Sequence, residues 1–151
     1  MDNSSELDET DLSILRLLRE NARMSYLEMS RQTGISDATI QYRLKRLQEK
    51  GHIRYTVIVD PDLTGYAVMA VMLVQTDTEK HDEAKQALAA LPEVTEVYGM
   101  LGEYDLLIKV WAKNLEELNR TINDKIRAID GIEDLTEMVM AERVKEAAPP
   151  V

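Results

Sequence analysis

The chain has 151 residues, of which 44% are hydrophobic and 30% charged, with no cysteine and a formal net charge of −10. That size and composition suit a folded protein of one large or two small domains, and the absence of thiols excludes disulfides, cysteine nucleophiles and cysteine-ligated zinc or iron–sulfur centres. No apolar run reaches the ~20 residues of a membrane span and residues 1–11 are acidic rather than signal-like, so the expected compartment is the cytoplasm.

The charge is unevenly spread. Residues 1–60 carry nine Lys or Arg against ten Asp or Glu, and residues 61–151 carry nine against eighteen. Within the first part, residues 21–56 reach a local +4. An acidic half can keep the protein in solution while a small basic face meets a polyanion, which implies two domains with different tasks.

In chain order, Asp8 and Asp11 stand as a cap before a helical row of Leu12, Leu15 and Leu18 with Ile14 beside it. Ser25 and Glu28 form a Ser-x-x-Glu capping box for a short second helix carrying Leu27 and Met29, closed by Thr33-Gly34. Ser36 caps a third helix whose Ile40, Leu44 and Leu47 share one stripe, ended by Gly51. From residue 52 to 59 the period changes to two, which predicts a strand, and Asp60-Pro61-Asp62 and Thr64-Gly65 break it. Residues 66–75 are almost continuously apolar, as in a central strand covered on both faces. Asp77 or Thr78 is the expected cap of a helix with Ala84, Ala87, Leu88 and Leu91 inward, stopped by Pro92. Residues 94–100 and 104–112 read as two strands joined by Leu101-Gly102-Glu103. Asn114 and Glu117 cap a helix with Leu115, Leu118, Ile122, Ile126 and Ile129 inward, ended by Gly131, and residues 132–142 read as a last strand.

The expected fold class is therefore α+β: a three-helix (winged) helix-turn-helix domain over residues 1–54, a linker strand and turn over 55–65, a ferredoxin-like βαββαβ domain over 66–145, and a frayed tail over 146–151. A second helix, a glycine turn and a third helix form the unit whose third helix can enter the DNA major groove. At 100° per residue, Ala38, Tyr42 and Lys45 point outward, with Thr39, Gln41 and Arg46 at the edges. These supply small residues for close approach, side chains that hydrogen-bond base edges, and cations for phosphates. The same list also describes an ordinary solvated helix face. Arg43 lies nearer the core side, where it either pairs with Glu49 or Glu28 or reaches a phosphate. Ser36 serves as cap, phosphate contact or both, and Arg54 is either a wing contact or a surface arginine.

In the second half, His52 and His81 have no partner at metal-ligand spacing and read as surface or turn residues, so neither a catalytic group nor a metal or cofactor is expected. Met69, Met72, Met100, Met138 and Met140 read as adaptable packing. Around residues 98–105, Gly99 and Gly102 open the backbone to a ligand beside Met100, Glu103, Tyr104 and Asp105, which suits a small zwitterion. The other reading is a hairpin turn in which Asp105 caps its own backbone. A sheet with helices on one face leaves the other bare, and a second subunit is the simplest cover.

The residues that carry a family resemblance are Leu7-Asp8-x-x-Asp11-x-x-Ile14-Leu15, then Gly34-Ile35-Ser36-x-Ala38-Thr39-Ile40-x-x-Arg43-Leu44-Lys45-Arg46-Leu47-x-x-Lys50-Gly51-x-Ile53, then Gly102-Glu103-Tyr104-Asp105. In this order, over residues 7 to about 143, the sequence resembles the Lrp/AsnC, or feast/famine, regulators. Met29-Ser30 departs from the more usual Leu-Ala. The resemblance implies a transcriptional regulator with a carboxy-terminal RAM domain that dimerises sheet to sheet, binds pseudo-palindromic promoter DNA as homodimers and often assembles to octamers. It also implies an amino-acid effector near residues 99–105, raises Ser36, Ala38, Thr39 and Arg43 as DNA-reading positions, and leaves Gln41 and Tyr42 to tune the operator. An architectural DNA-binding protein without effector is the alternative; a sirohaem-decarboxylase-like enzyme is a further one, poorly served by two histidines.

Overall fold

The computed structural model describes residues 7–147; residues 148–151 of the expected tail lie outside them. The chain divides into two compact units, one formed by residues 7–58 with Ala147 and the other by Val59–Glu146.

Among the described residues the first unit holds three helices: α1 (Glu9–Glu20), α2 (Tyr26–Thr33) and α3 (Asp37–Glu49). Each starts where a side chain satisfies an orphan amide. Asp8 and Asp11 form a full capping box, with Asp11 N donating to Asp8 Oδ1 at 2.8 Å and Asp8 N to Asp11 Oδ2 at 3.3 Å. Ser25 accepts from Glu28 N, the forward half of the expected box; Glu28 does not return the bond. Ser36 accepts from Thr39 N at 3.2 Å. Gly34 closes α2 at φ 75°, a left-handed conformation in which a Cβ would be strained.

Ile14, Met29, Ile40 and Leu44 make the core of this unit, with Leu17, Leu18, Met24, Ile35 and Ile53 packed on it. The expected row on α1 is displaced: Ile14 is its centre, and Leu12 and Leu15 are only half-buried. Of the two apolar residues noted on α2, Met29 is buried and Leu27 is 56% exposed. The strand expected over residues 52–59 is also absent, and Val57 and Ile58 lie open. Alternation makes a segment suited to a ladder, but a strand exists only when another backbone accepts its hydrogen bonds. No wing strand follows α3 before Val68 among the described residues.

The second unit begins with a 3₁₀ turn (Pro61–Thr64) and continues through β1 (Val68–Thr76), α4 (His81–Ala90), β2 (Val94–Gly99), β3 (Leu106–Ala112), α5 (Leu115–Arg120) and β4 (Ile132–Val139). The described strands form one antiparallel sheet in the order β2-β3-β1-β4, the ferredoxin-like arrangement. Alternate residues of the central strands, Met72, Val74, Ile108 and Val110, are buried with Leu88, Leu118, Ile122 and Ile126. Each such side chain contributes roughly 1.5–3 kcal/mol by leaving water. Met69, Val71, Leu73 and Trp111 face the other way and are only half-buried, so β1 is covered on one face in the single chain rather than on both.

Two helices differ from expectation. α4 starts at His81 with Lys80 at the cap position and no side-chain cap, because Asp77 spends its carboxylate on Glu79 N within the preceding turn. After Arg120 the chain widens into a π-turn (Thr121–Ile126), with Arg127 N bonded to Ile122 O at 2.8 Å. Leu115 is exposed at the start of α5 while Asn114 caps it through Glu117 N. The final strand stops at Val139, three residues short of the expected end at residue 142, and Glu146 pairs with Lys109 at 3.4 Å.

Candidate nucleic-acid face and ligand cleft

α3 buries Ile40, Leu44 and Leu47 and leaves Ala38, Thr39, Gln41, Tyr42 and Lys45 exposed. The Lys45 side chain is 73% exposed, with Glu49 as a loose partner at 3.8 Å. Ser36 is exposed too, although its hydroxyl is engaged with Thr39 N and Thr39 Oγ1. Arg54 lies exposed on the segment after α3.

The two remaining arginines of α3 are arranged differently. Arg46 Nη2 donates to Asp11 Oδ2 at 2.8 Å, and Asp11 is fully buried. Arg46 Nε is itself buried with no acceptor among the described residues. Arg43 Nη1 bonds Asp8 and lies 3.4 Å from both oxygens of Asp11. The expected partners of Arg43, Glu49 and Glu28, are thus replaced by the two capping carboxylates of α1, and Arg46 is not a free cation at the helix edge. Two guanidiniums and two carboxylates lock α3 to the start of α1. The Asp8 carboxyl is held below the usual carboxylate range by the Asp11 backbone N–H and by the Arg43 guanidinium.

In the second unit the chain from Met100 to Asp105 closes on itself, Met100 N donating to Asp105 O at 2.8 Å. Gly102 sits at φ 150°, inside the region that favours glycine; Gly99 does not, and a Cβ there would meet nothing within 4 Å. Gly99 is therefore not required by backbone strain, contrary to expectation, but it leaves the main chain open. Asp105 reaches across to β1 instead of capping its own backbone: Oδ2 accepts from Thr76 N at 2.7 Å and from Thr76 Oγ1 at 3.1 Å. Thr76 Oγ1 in turn lies 2.9 Å from His81 Nδ1.

These groups line a cleft of about 340 Å³ formed by Thr76, Thr78, His81, Gly99, Met100 and Asp105. Three of the expected ligand residues, Gly99, Met100 and Asp105, meet there. Gly102, Glu103 and Tyr104 do not: the Glu103 carbonyl accepts from Gln75 Nε2 at 2.9 Å and the Tyr104 hydroxyl bonds Thr136 Oγ1 at 3.2 Å, both within the sheet's own framework. Thr76, Thr78 and His81 escaped sequence reasoning. Thr76 and Asp105 are 29 positions apart, and only the pairing of β1 with β3 brings them together.

Residues 7–54 match the model of a winged helix-turn-helix DNA-binding domain, and residues 66–150 match that of the Lrp/AsnC ligand binding domain. The chain belongs to the Lrp/AsnC family. It is similar to the HTH-type transcriptional regulator FL11 of Pyrococcus horikoshii, 38% identical over 141 residues and 93% of each chain. It is also similar to the regulator LrpA of the same organism, 33% identical over 140 residues, 92% of this chain and 99% of the other. Among solved structures, Escherichia coli AsnC matches with a TM-score of 0.90 at 28% identity, over 97% of this chain and 99% of that one.

Membership in the Lrp/AsnC family makes the protein a DNA-binding transcriptional regulator with a ligand-binding domain, and sets aside the decarboxylase alternative, since the family and these relatives are regulators rather than enzymes. Among the described residues, no helix is long and apolar enough to cross a membrane, and no group of three or more His, Asp or Glu could hold a metal ion.

Proposed function

We propose that the protein binds double-stranded promoter DNA in the cytoplasm as a homodimer, with α3 in the major groove, and that an amino acid in the Asp105 cleft biases its assembly towards or away from an octamer. The reading of DNA rests on the exposed row Ala38, Thr39, Gln41, Tyr42 and Lys45, with Ser36 and Arg54 as flanking backbone contacts and Arg43 and Arg46 holding the helix. Dimerisation rests on the uncovered sheet face of Met69, Val71, Leu73 and Trp111. A two-fold pair would set two α3 helices about 34 Å apart, one turn of DNA.

The effector reading is carried by Asp105. Thr76 holds its Oδ2 in place, and Oδ1 accepts no bond among the described residues, so a fixed negative charge faces the cleft. An effector acts only through unequal affinity for two assembly states. The test is selection from a random duplex library with the purified protein, followed by salt-dependent affinity for the enriched duplex with and without the standard amino acids. A palindrome whose affinity or stoichiometry responds to an amino acid supports the reading. Weak, sequence-independent binding with no response favours the architectural alternative.

A further inference from the structure

We propose that His81 is the second acceptor for the ammonium group of the ligand, opposite Asp105, with its tautomer set by Thr76; this rests on the reading of the cleft as an amino-acid site. The assignment follows from counting protons. A carboxylate only accepts, so the single hydroxyl proton of Thr76 goes to Asp105 Oδ2, 3.1 Å away. With that proton spent, the 2.9 Å contact between Thr76 Oγ1 and His81 Nδ1 is a hydrogen bond only if Nδ1 carries the hydrogen and donates.

A neutral imidazole protonated on Nδ1 has its lone pair on Nε2, which has no partner among the described residues. His81 lines the cleft with Asp105, and no lysine or arginine does. The chain Asp105, Thr76, His81 therefore presents two acceptors, Asp105 Oδ1 and His81 Nε2, and one negative charge. A primary ammonium, with three donors and a positive charge, satisfies both acceptors. A hydroxyl in its place brings one donor and no charge, so an α-hydroxy acid of the same shape is a poor substitute.

Two substitutions separate the two nitrogens. In His81→Asn the side-chain amide can replace Nδ1 as donor to Thr76 but puts nothing at Nε2. In His81→Gln the amide oxygen reaches the Nε2 position and the donor to Thr76 is lost. The full-length protein is titrated calorimetrically with each of the twenty standard amino acids and with 2-hydroxy-4-methylpentanoate, the hydroxy acid matched to leucine, with circular dichroism to confirm folding. The expected result is binding of at least one amino acid, none of the hydroxy acid, a loss of about tenfold in His81→Asn and less than about threefold in His81→Gln. Folded His81→Asn protein binding as tightly as the parent overturns the role of His81 while leaving the amino-acid site standing. Should no amino acid bind the parent protein, both readings fall together.

Discussion

Arg46 of α3 donates from Nη2 to Oδ2 of Asp11 of α1 at 2.8 Å, and the carboxylate that receives it is fully buried. Helix α3 is thus held by an acid that also takes part in the cap of the first helix, so one residue couples the start of α1 to the orientation of α3. Removing one partner of a buried ion pair costs more than the pair itself contributes.

Asp11→Ala should destabilise the amino-terminal unit by about 2 kcal/mol, below the range for fully buried pairs because the orphaned Arg43 and Arg46 keep 23% and 35% side-chain exposure. Denaturant unfolding followed by circular dichroism measures this. An unchanged midpoint would mean that α3 is held by its apolar face alone.

Lys45 and Arg46 should behave differently towards DNA. Lys45→Ala should lower the slope of log affinity against log salt by about 0.9, the contribution of one neutralised phosphate. Arg46→Ala should lower it by less than half as much, because Asp11 already neutralises that charge. Equal effects from the two substitutions would show that Arg46 leaves Asp11 on binding.

The pH dependence of stability has a defined sign. Asp8 has a folded pKa below its unfolded value, through the Asp11 backbone N–H and Arg43, so its contribution is present above that unfolded value and is lost as pH falls through the folded one. The thermal midpoint of the amino-terminal unit should therefore drop below about pH 4, and the drop should be shallower in Asp8→Asn. Parallel profiles for the two proteins would remove Asp8 from the account.

At the cleft, Asp105→Ala should cost about 1–3 kcal/mol in the second unit, because the Thr76 backbone N–H loses its acceptor on a residue only 7% exposed. Asp105→Asn keeps an acceptor and should cost less. Both should abolish the effector response, which affinity measurements with and without amino acids would reveal.

Val71 pairs with Lys109 across β1 and β3 on the uncovered side of the sheet. Val71→Arg would set two cations together on the face proposed to meet a second copy, so sedimentation velocity should show a dimeric parent protein and a monomeric variant. A dimer unaffected by this change must use another surface.

The order of the elements apart from segment 52–59, the caps of α1, α2, α3 and α5 and the inward stripe of α3 were legible in the chain because they depend on hydrogen bonds and side chains within about four residues of one another; the expected cap of α4 did not form, since Asp77 bonds Glu79 N instead. The pattern that located Ser36, Ile40, Leu44 and Leu47 needed no knowledge of the rest of the molecule. The partners of Arg43 and Arg46 were not legible: Asp8 and Asp11 stand more than thirty positions away, and their role as caps concealed their role as counter-ions. Nor was the cleft, since Asp105 and Thr76 meet only through the register of β1 with β3, and His81 enters it because α4 begins beside the end of β1. The segment 52–59 marks the same boundary from the other side: its alternation is intrinsic, but whether it becomes a strand depends on a backbone that its own sequence does not contain. Local periodicity and caps located the helices and the strands of the sheet, and tertiary contact decided whether an alternating segment finds a partner, which charges are spent inside the protein and which remain for its ligands.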